Sequence, residues 1–212
     1  MIVIFLGIFL ICLNGFTGST FDTITKFLSI NNYNWYHYYS IGLTISLITL
    51  LIFLKLTGGV KKHILLEKKQ YYFLPLLRGL QFIIITLIIF YSLKYIPLNI
   101  FTTLLMTTPF FLLIFARLIL NENLNFISWI SIMIGFLGVI IVLKPNNANI
   151  NIYIFLVLLV AILNALNFTV VSKYSFIATS YGFTFYGLLP ATLFSYLFFF
   201  IDPMFPSTKE FL

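Results

Sequence analysis

The chain is built of long apolar runs with almost no charge inside them, and this constrains its fold more than any other feature. The runs cover Ile2–Leu28, Tyr38–Leu56, Phe73–Leu93, Ile96–Leu118, Phe126–Leu143, Tyr153–Ser172 and Tyr181–Ile201. Each is about twenty residues, the length of helix that crosses the hydrocarbon core of a bilayer. Outer-membrane barrel strands are about ten residues of alternating pattern, and these runs are continuous. Of the 212 residues 61% are hydrophobic and 8% charged, where a soluble domain carries about 25% charged residues. There is too little polar surface to face water. The expected class is all-α, a polytopic membrane helix bundle of about seven transmembrane helices in the lipid bilayer.

The few charges report orientation. Lys61, Lys62, Lys68 and Lys69 sit in one loop, GGVKKHILLEKKQYY, with Lys55 just before it. The positive-inside rule places that loop, and with it the N-terminus, in the cytoplasm. Arg78, Arg117 and Lys173 then fall inside; Lys26, Lys94, Lys144 and Lys209 fall outside. Tyr71, Tyr72 and Trp129 fit an inner aromatic belt and Trp35 an outer one. Because the positive charge flanks a membrane, no nucleic-acid partner is implied. The single cysteine, Cys12, allows no intrachain disulfide, and His37 and His63 lack ligand spacing. No metal or cofactor is expected. No HExxH, GxSxG or DxxD motif is present, so a membrane enzyme is disfavoured.

The first and sixth runs align at an offset of 147 residues. FDTITKFLS from Phe21 lies over FTVVSKYSF from Phe168, which pairs Lys26 with Lys173; Tyr39 then falls on Tyr186. A repeat of five spans reverses orientation between copies, the inverted-topology arrangement of many secondary transporters. The expected division is 1–147 as a first repeat and 148–212 as a partial second repeat of two helices.

Polar residues inside spans are the candidate site. Asn14, Gly18, Asp22, Thr25 and Ser29 recur at steps of three and four and so share a helical face. Asp22 is either an intramembrane acid that works on a solute or proton, or the residue that ends the first span at the interface. Asn164 and Asn167 of the sixth span either face the same site or hydrogen-bond between helices. Pro109 interrupts the fourth span and frees the carbonyl of Leu105, with Thr107 and Thr108 placed to re-satisfy it. The interruption is a packing kink or a broken helix at a binding site, with Thr103 and Thr107 on its face. The expected substrate-binding set is thus Asn14, Asp22, Thr25, Thr103, Thr107, Pro109, Asn164 and Asn167. Tyr33, Tyr36, Tyr38 and Tyr39 add aromatic faces, which with an acid suit a cationic, ring-bearing solute. Ser128, Ser131, Gly135 and Gly138 form a small-residue packing face. Arg117 and Glu122 flank a turn, with Asn125 able to cap the next helix; this is a capping device or part of an inner gate.

LLRGL from Leu76, YSLKYIPLN from Tyr91, Pro109, LNEN from Leu120 and GFLGVIIVLKP from Gly135 together resemble the EamA family of the drug/metabolite transporter superfamily. Arg78, Pro97, Pro109, Glu122, Gly135 and Gly138 match its pattern. STFDTITKFL from Ser19 and the LKP ending are similar to S-adenosylmethionine uptake transporters of intracellular bacteria. The resemblance implies two inverted five-span repeats around a central cavity, with the fifth span outside. It implies an inner-membrane permease moving a small metabolite by alternating access: S-adenosylmethionine or another cationic or aromatic metabolite. The sequence departs from the pattern where YHYYS, with His37, stands in place of an Arg, and in ending after seven spans. The expectation is therefore a truncated or split form of a protein of about 290 residues, the first repeat doubled. Alone it is an inactive scaffold or subunit, unless it forms a homodimer or joins a complementing C-terminal fragment.

The topology is testable directly. In a Cys12→Ser background, Glu122→Cys should react with a membrane-impermeant maleimide only from the cytoplasmic side. Labelling from the outside would invert every assignment above.

Overall fold

In hydrocarbon every backbone N–H and C=O must be satisfied without water, and a helix does this within one segment. The computed structural model describes residues 2–64, 71, 73–143, 152–177 and 179–202. Within them the regular elements are helices: α1 (Ile2–Ile30), α2 (Trp35–Leu56), α3 (Val60–Ile64), α4 (Phe73–Tyr95), α5 (Leu98–Leu105), α6 (Thr108–Ile119), α7 (Phe126–Leu143), α8 (Ile152–Lys173) and α9 (Ser180–Ile201). The seven apolar runs appear as α1, α2, α4, the α5–α6 pair, α7, α8 and α9, and the chain is an all-α polytopic membrane bundle. Among the described residues five helices, counting α5–α6 as one, are long and apolar enough to cross a membrane. Lys68, Lys69 and Tyr72 of the basic loop, Lys144 and Pro145, and 203–212 with Lys209 lie outside the described residues, as does the side chain of Asn14.

Helix α4 is the centre of the bundle. It packs on α1, α8 and α9; α9 also packs on α2, and α8 on α5 and α6. The buried edge of α8 is Val157, Val160, Ala161, Ala165 and Thr169. Its alanines let the neighbouring backbones approach. Gln81 of α4 donates to the carbonyl of Leu163 across this contact. Between α4 and α9 the approach is closer still. A Cβ on Gly79 would strike the ring of Pro190 and lie 3.5 Å from the carbonyl oxygen of Tyr186. Pro190 cannot donate to that carbonyl, so a ring inside α9 meets bare backbone on α4.

The α2–α9 pair is fastened at both ends. At one, the Tyr36 hydroxyl donates to Asp202 Oδ2 at 2.5 Å. Asn34 reaches the same carboxylate, and His37 Nε2 lies 3.0 Å from the Asp202 carbonyl. At the other, His63 bridges Thr57 and Thr179 at 3.2 and 3.0 Å. Thr179 in turn accepts from Gly182 N and so caps α9. Trp35, expected in an outer belt, is instead buried against Phe194 and Phe198 of α9. Trp129 is exposed as a belt residue requires.

Two interruptions are repaired locally. Pro97 has no N–H for the carbonyl of Leu93; Lys26 Nζ donates there at 2.7 Å and to the Ile96 carbonyl at 2.6 Å. Pro109 leaves the Leu105 carbonyl free, and Thr108 Oγ1 donates to it at 2.7 Å, one of the two threonines the sequence placed for this. Thr107 serves Leu104 instead. At the α6–α7 turn Arg117 donates to the Glu122 carbonyl and to Asn123 Oδ1. Asn125 Oδ1 accepts from Ser128 N, the expected cap. On α7 Gly135 packs closely against Phe110, while a Cβ on Gly138 would meet nothing within 4 Å.

Two substitutions test these contacts. Gly79→Ala overpacks the α4–α9 crossing and should destabilise by about 1–3 kcal/mol. Lys26→Met strands two carbonyls and should cost about 1.5–3 kcal/mol. Thermal unfolding in detergent micelles reads both, and unchanged midpoints would contradict the respective contact.

Candidate functional site

Five helices leave a cleft of about 400 Å³ between them. Helix α2 contributes Tyr38, Tyr39, Gly42, Leu43 and Ser46. Their spacing of one, four, five and eight residues keeps them on one face. Helix α4 contributes Phe82, Ile85, Thr86 and Ile89 at the same kind of spacing, and Phe21 of α1, Asn164 of α8 and Leu188 of α9 complete the wall. Gly42 holds part of the space open, since a Cβ there would meet nothing within 4 Å.

One side of the cleft is aromatic. The rings of Phe21, Tyr38 and Tyr39 lie 5.3–5.8 Å apart in tilted and edge-to-face pairs, the separations at which aromatic quadrupoles attract. Behind them Thr25 is fully buried and Tyr39 nearly so. Thr25 Oγ1 and Tyr39 Oη are buried without a hydrogen-bond partner within bonding distance among the described residues. A buried hydroxyl left unpaired costs free energy.

Asp22 follows Phe21 and is half-buried beside Tyr38 and Tyr39. Lys26, four residues on, would be its natural helical partner. The ammonium of Lys26 is instead committed to the Leu93 and Ile96 carbonyls. Among the described residues Asp22 has no ion pair or hydrogen bond to its carboxylate.

The expected site residues separate into two groups. Asn164 lines the cleft; Thr25 and Asp22 are outside its lining, on α1 within one turn of Phe21, which is in it. Asn14 is on α1, its side chain undescribed. Asn167 is half-buried on α8, outside the lining. The residues at the α5–α6 break do not reach the cleft. Thr103 donates to Asn99 O at 2.7 Å, Thr107 is buried on the Leu104 carbonyl, and Pro109 is exposed. Tyr36 is held by Asp202. Sequence reasoning passed over Phe21, Gly42, Ser46, Phe82 and Thr86. Only Phe21, adjacent to Asp22, carried a signal; the others read as ordinary span residues until α2 and α4 face each other.

The EamA-like transporter family model matches residues 5–144. The S-adenosylmethionine uptake transporter of Rickettsia prowazekii (strain Madrid E) is 36% identical over 72 residues, which is 34% of this chain and 24% of the relative. The corresponding transporter of Rickettsia bellii (strain RML369-C) is 34% identical over 79 residues, 37% of this chain and 27% of the relative. A riboflavin transporter of Brucella anthropi is 33% identical over 84 residues, 40% of this chain and 29% of the relative. The matched stretch thus spans about a quarter of the length of these relatives. No solved structure matches the chain. With the match running from α1 through the end of α7, across most of the helices that wall the cleft, the chain belongs to the EamA-like transporter family.

Proposed function

We propose that this chain is a permease, or the substrate-binding part of one, that moves a small cationic, ring-bearing metabolite across a bacterial inner membrane by alternating access. The carrying observation is the pairing of the Phe21–Tyr38–Tyr39 wall with Asp22, a half-buried carboxylate without a cation. Aromatic faces and a desolvated carboxylate recognise a cation attached to a ring by cation–π and Coulomb attraction together. The relatives named for S-adenosylmethionine transport make that sulfonium the first candidate. The riboflavin relative supports a second reading, a neutral ring stacked on the same wall with Asp22 idle. The absence of enzymatic motifs supports transport over catalysis.

The five-span repeat remains part of this proposal. Moved back by 147 residues, α8 falls on residues 5–26 of α1 and α9 on residues 33–54 of α2. The α2–α9 contact then joins equivalent helices of the two copies, as a pseudo-twofold axis between them requires. Its two ends carry different fastenings, Asp202 at one and His63 at the other. Releasing one while the other holds opens the cleft to one side at a time. The lysine-rich loop supports a cytoplasmic N-terminus. A homodimer or a complementing C-terminal fragment would supply the remaining helices of the second repeat.

Uptake of labelled S-adenosylmethionine and riboflavin by proteoliposomes decides between the readings. Asp22→Asn should lower S-adenosylmethionine affinity by about tenfold or more, on the order of 1.4 kcal/mol, and leave riboflavin binding unchanged. Equal affinity of both proteins for the sulfonium would remove Asp22 from the site. Gly42→Leu should fill the cleft and abolish uptake with little loss of stability; undiminished uptake would show that the solute travels elsewhere.

A further inference from the structure

Arg78 sits one helical turn before Phe82 on α4, on the face that continues through Ile85, Thr86 and Ile89 as the wall of the cleft. Across from it, a Cβ on Gly187 of α9 would meet Phe82 Cδ2 at 3.4 Å, Arg78 Cγ at 3.6 Å and Arg78 Nε at 3.7 Å. The next residue, Leu188, lines the cleft. Arg78 is not itself in the lining; it stands one turn beyond Phe82, in the seam between α4 and α9 and beside the Gly79–Pro190 crossing.

The hydrogen bonding of this side chain is incomplete. Nε donates to the Phe183 carbonyl at 3.3 Å. Among the described residues the two terminal amino groups have no partner, and no carboxylate lies within ion-pair distance. A guanidinium carries five N–H donors and does not discharge in a protein. One neutral carbonyl leaves its charge unmatched in a half-buried setting near the start of an apolar helix, where ionisable groups pair or serve a path. Its planar fork matches a carboxylate or phosphate through two parallel hydrogen bonds.

The opposite end of the cleft holds the reverse charge. Asp22 lies one turn before Lys26, whose ammonium reaches the Leu93 carbonyl. Phe21, its neighbour, lines the cleft together with Ile89. Counting one turn back from the Lys26–Leu93 contact on both helices sets Asp22 near the level of Ile89, about 16 Å along the α4 axis from Arg78 at 1.5 Å per residue. The two side chains take up part of that distance, and an extended metabolite fills the rest.

We propose that Arg78 is an anion-recognising position, and that the solute is a zwitterion. Its cationic, ring-bearing part lies between Asp22 and the aromatic wall, and its carboxylate meets the guanidinium. This rests on the permease reading above and narrows it: a cation or a neutral ring alone leaves Arg78 unmatched.

The test is equilibrium binding in phosphate-free detergent micelles, where no lipid headgroup competes. The ligands are two matched pairs, S-adenosylmethionine with its decarboxylated form and tryptophan with tryptamine. The wild-type chain should prefer the carboxylate-bearing member of at least one pair by about tenfold or more. Arg78→Gln should erase that preference by weakening only the carboxylate-bearing ligand, and Arg78→Lys should restore part of it. If Arg78→Gln unfolds, the wild-type ratio and the Lys variant still decide. Equal wild-type affinities within both pairs would overturn the anion site and leave the permease reading standing. A preference that survives Arg78→Gln would assign it to another residue and likewise overturn the inference. If no member of either pair binds, this inference and the ring-bearing-cation reading fail together.

Discussion

The structure depends on one requirement: no backbone carbonyl within the bilayer can be left to water, because there is none. Prolines within α9 and at the α4–α5 and α5–α6 junctions break that rule, and each break is handled differently. At Pro97 the freed carbonyl of Leu93 is met by the ammonium of Lys26 from α1. At Pro109 the freed carbonyl of Leu105 is met by Thr108, one turn away in the same span. At Pro190 the Tyr186 carbonyl lies against the bare backbone of Gly79. The first repair is tertiary and the second local, and the tertiary one holds α1 to the bundle; at Pro190 the structure shows close packing on Gly79.

That repair has an electrostatic consequence. A lysine four residues after an aspartate on a helix would ordinarily neutralise it. Here the lysine is already bonded to two carbonyls of the α4–α5 junction. Asp22 is left without a hydrogen bond or ion pair among the described residues. The proline that breaks α4 from α5 is therefore linked, through Lys26, to the charge available at the cleft. Polar atoms elsewhere on α1 are quieted locally: Thr17, Thr20 and Thr23 each donate to the carbonyl four residues back. The outer face of that helix presents methyl groups to its surroundings, not hydroxyl donors.

The fold was legible because its signal is local. Length and apolarity alone place α1, α2, α4, α7, α8 and α9, and Pro109 marks the break between α5 and α6. Asn125 and Thr108 were readable because caps and carbonyl repairs act within a few residues. The cleft was only partly legible because it is a property of packing. Phe82, Thr86 and Ser46 look like any lipid-phase residues until α4 and α2 are set face to face. Thr103, Thr107 and Pro109 looked like a site because broken helices often form one. In this bundle the break packs on α8, and its hydroxyls are spent on their own helix. Trp35 misled for a related reason: an aromatic residue at a span end fits an interface belt, yet the phenylalanines of α9 bury it.

In a chain this poor in charge, each ionised group can be sorted by what it touches. Among the described residues, Lys26 closes helix carbonyls, Arg117 fastens the α6–α7 turn, Asp202 ties α9 to Tyr36 and Asn34, and Lys94 reaches Asn32. Lys55, Lys61, Lys62, Glu122 and Lys173 are exposed near span ends or in connections, where headgroups and water solvate them. Asp22 and Arg78 are left: both half-buried within helices, opposite in sign, and neither in an ion pair, with Arg78 bonded only to the Phe183 carbonyl. A protein selected only to fold in lipid would do better to replace both with apolar residues, since a buried charge without a partner is a cost and its replacement by a packed side chain is often neutral or stabilising. The cleft lies between those two charges. Beyond the single bond of Arg78 Nε to the Phe183 carbonyl, neither charge is used in holding this bundle together, and a solute that bridges them would use both.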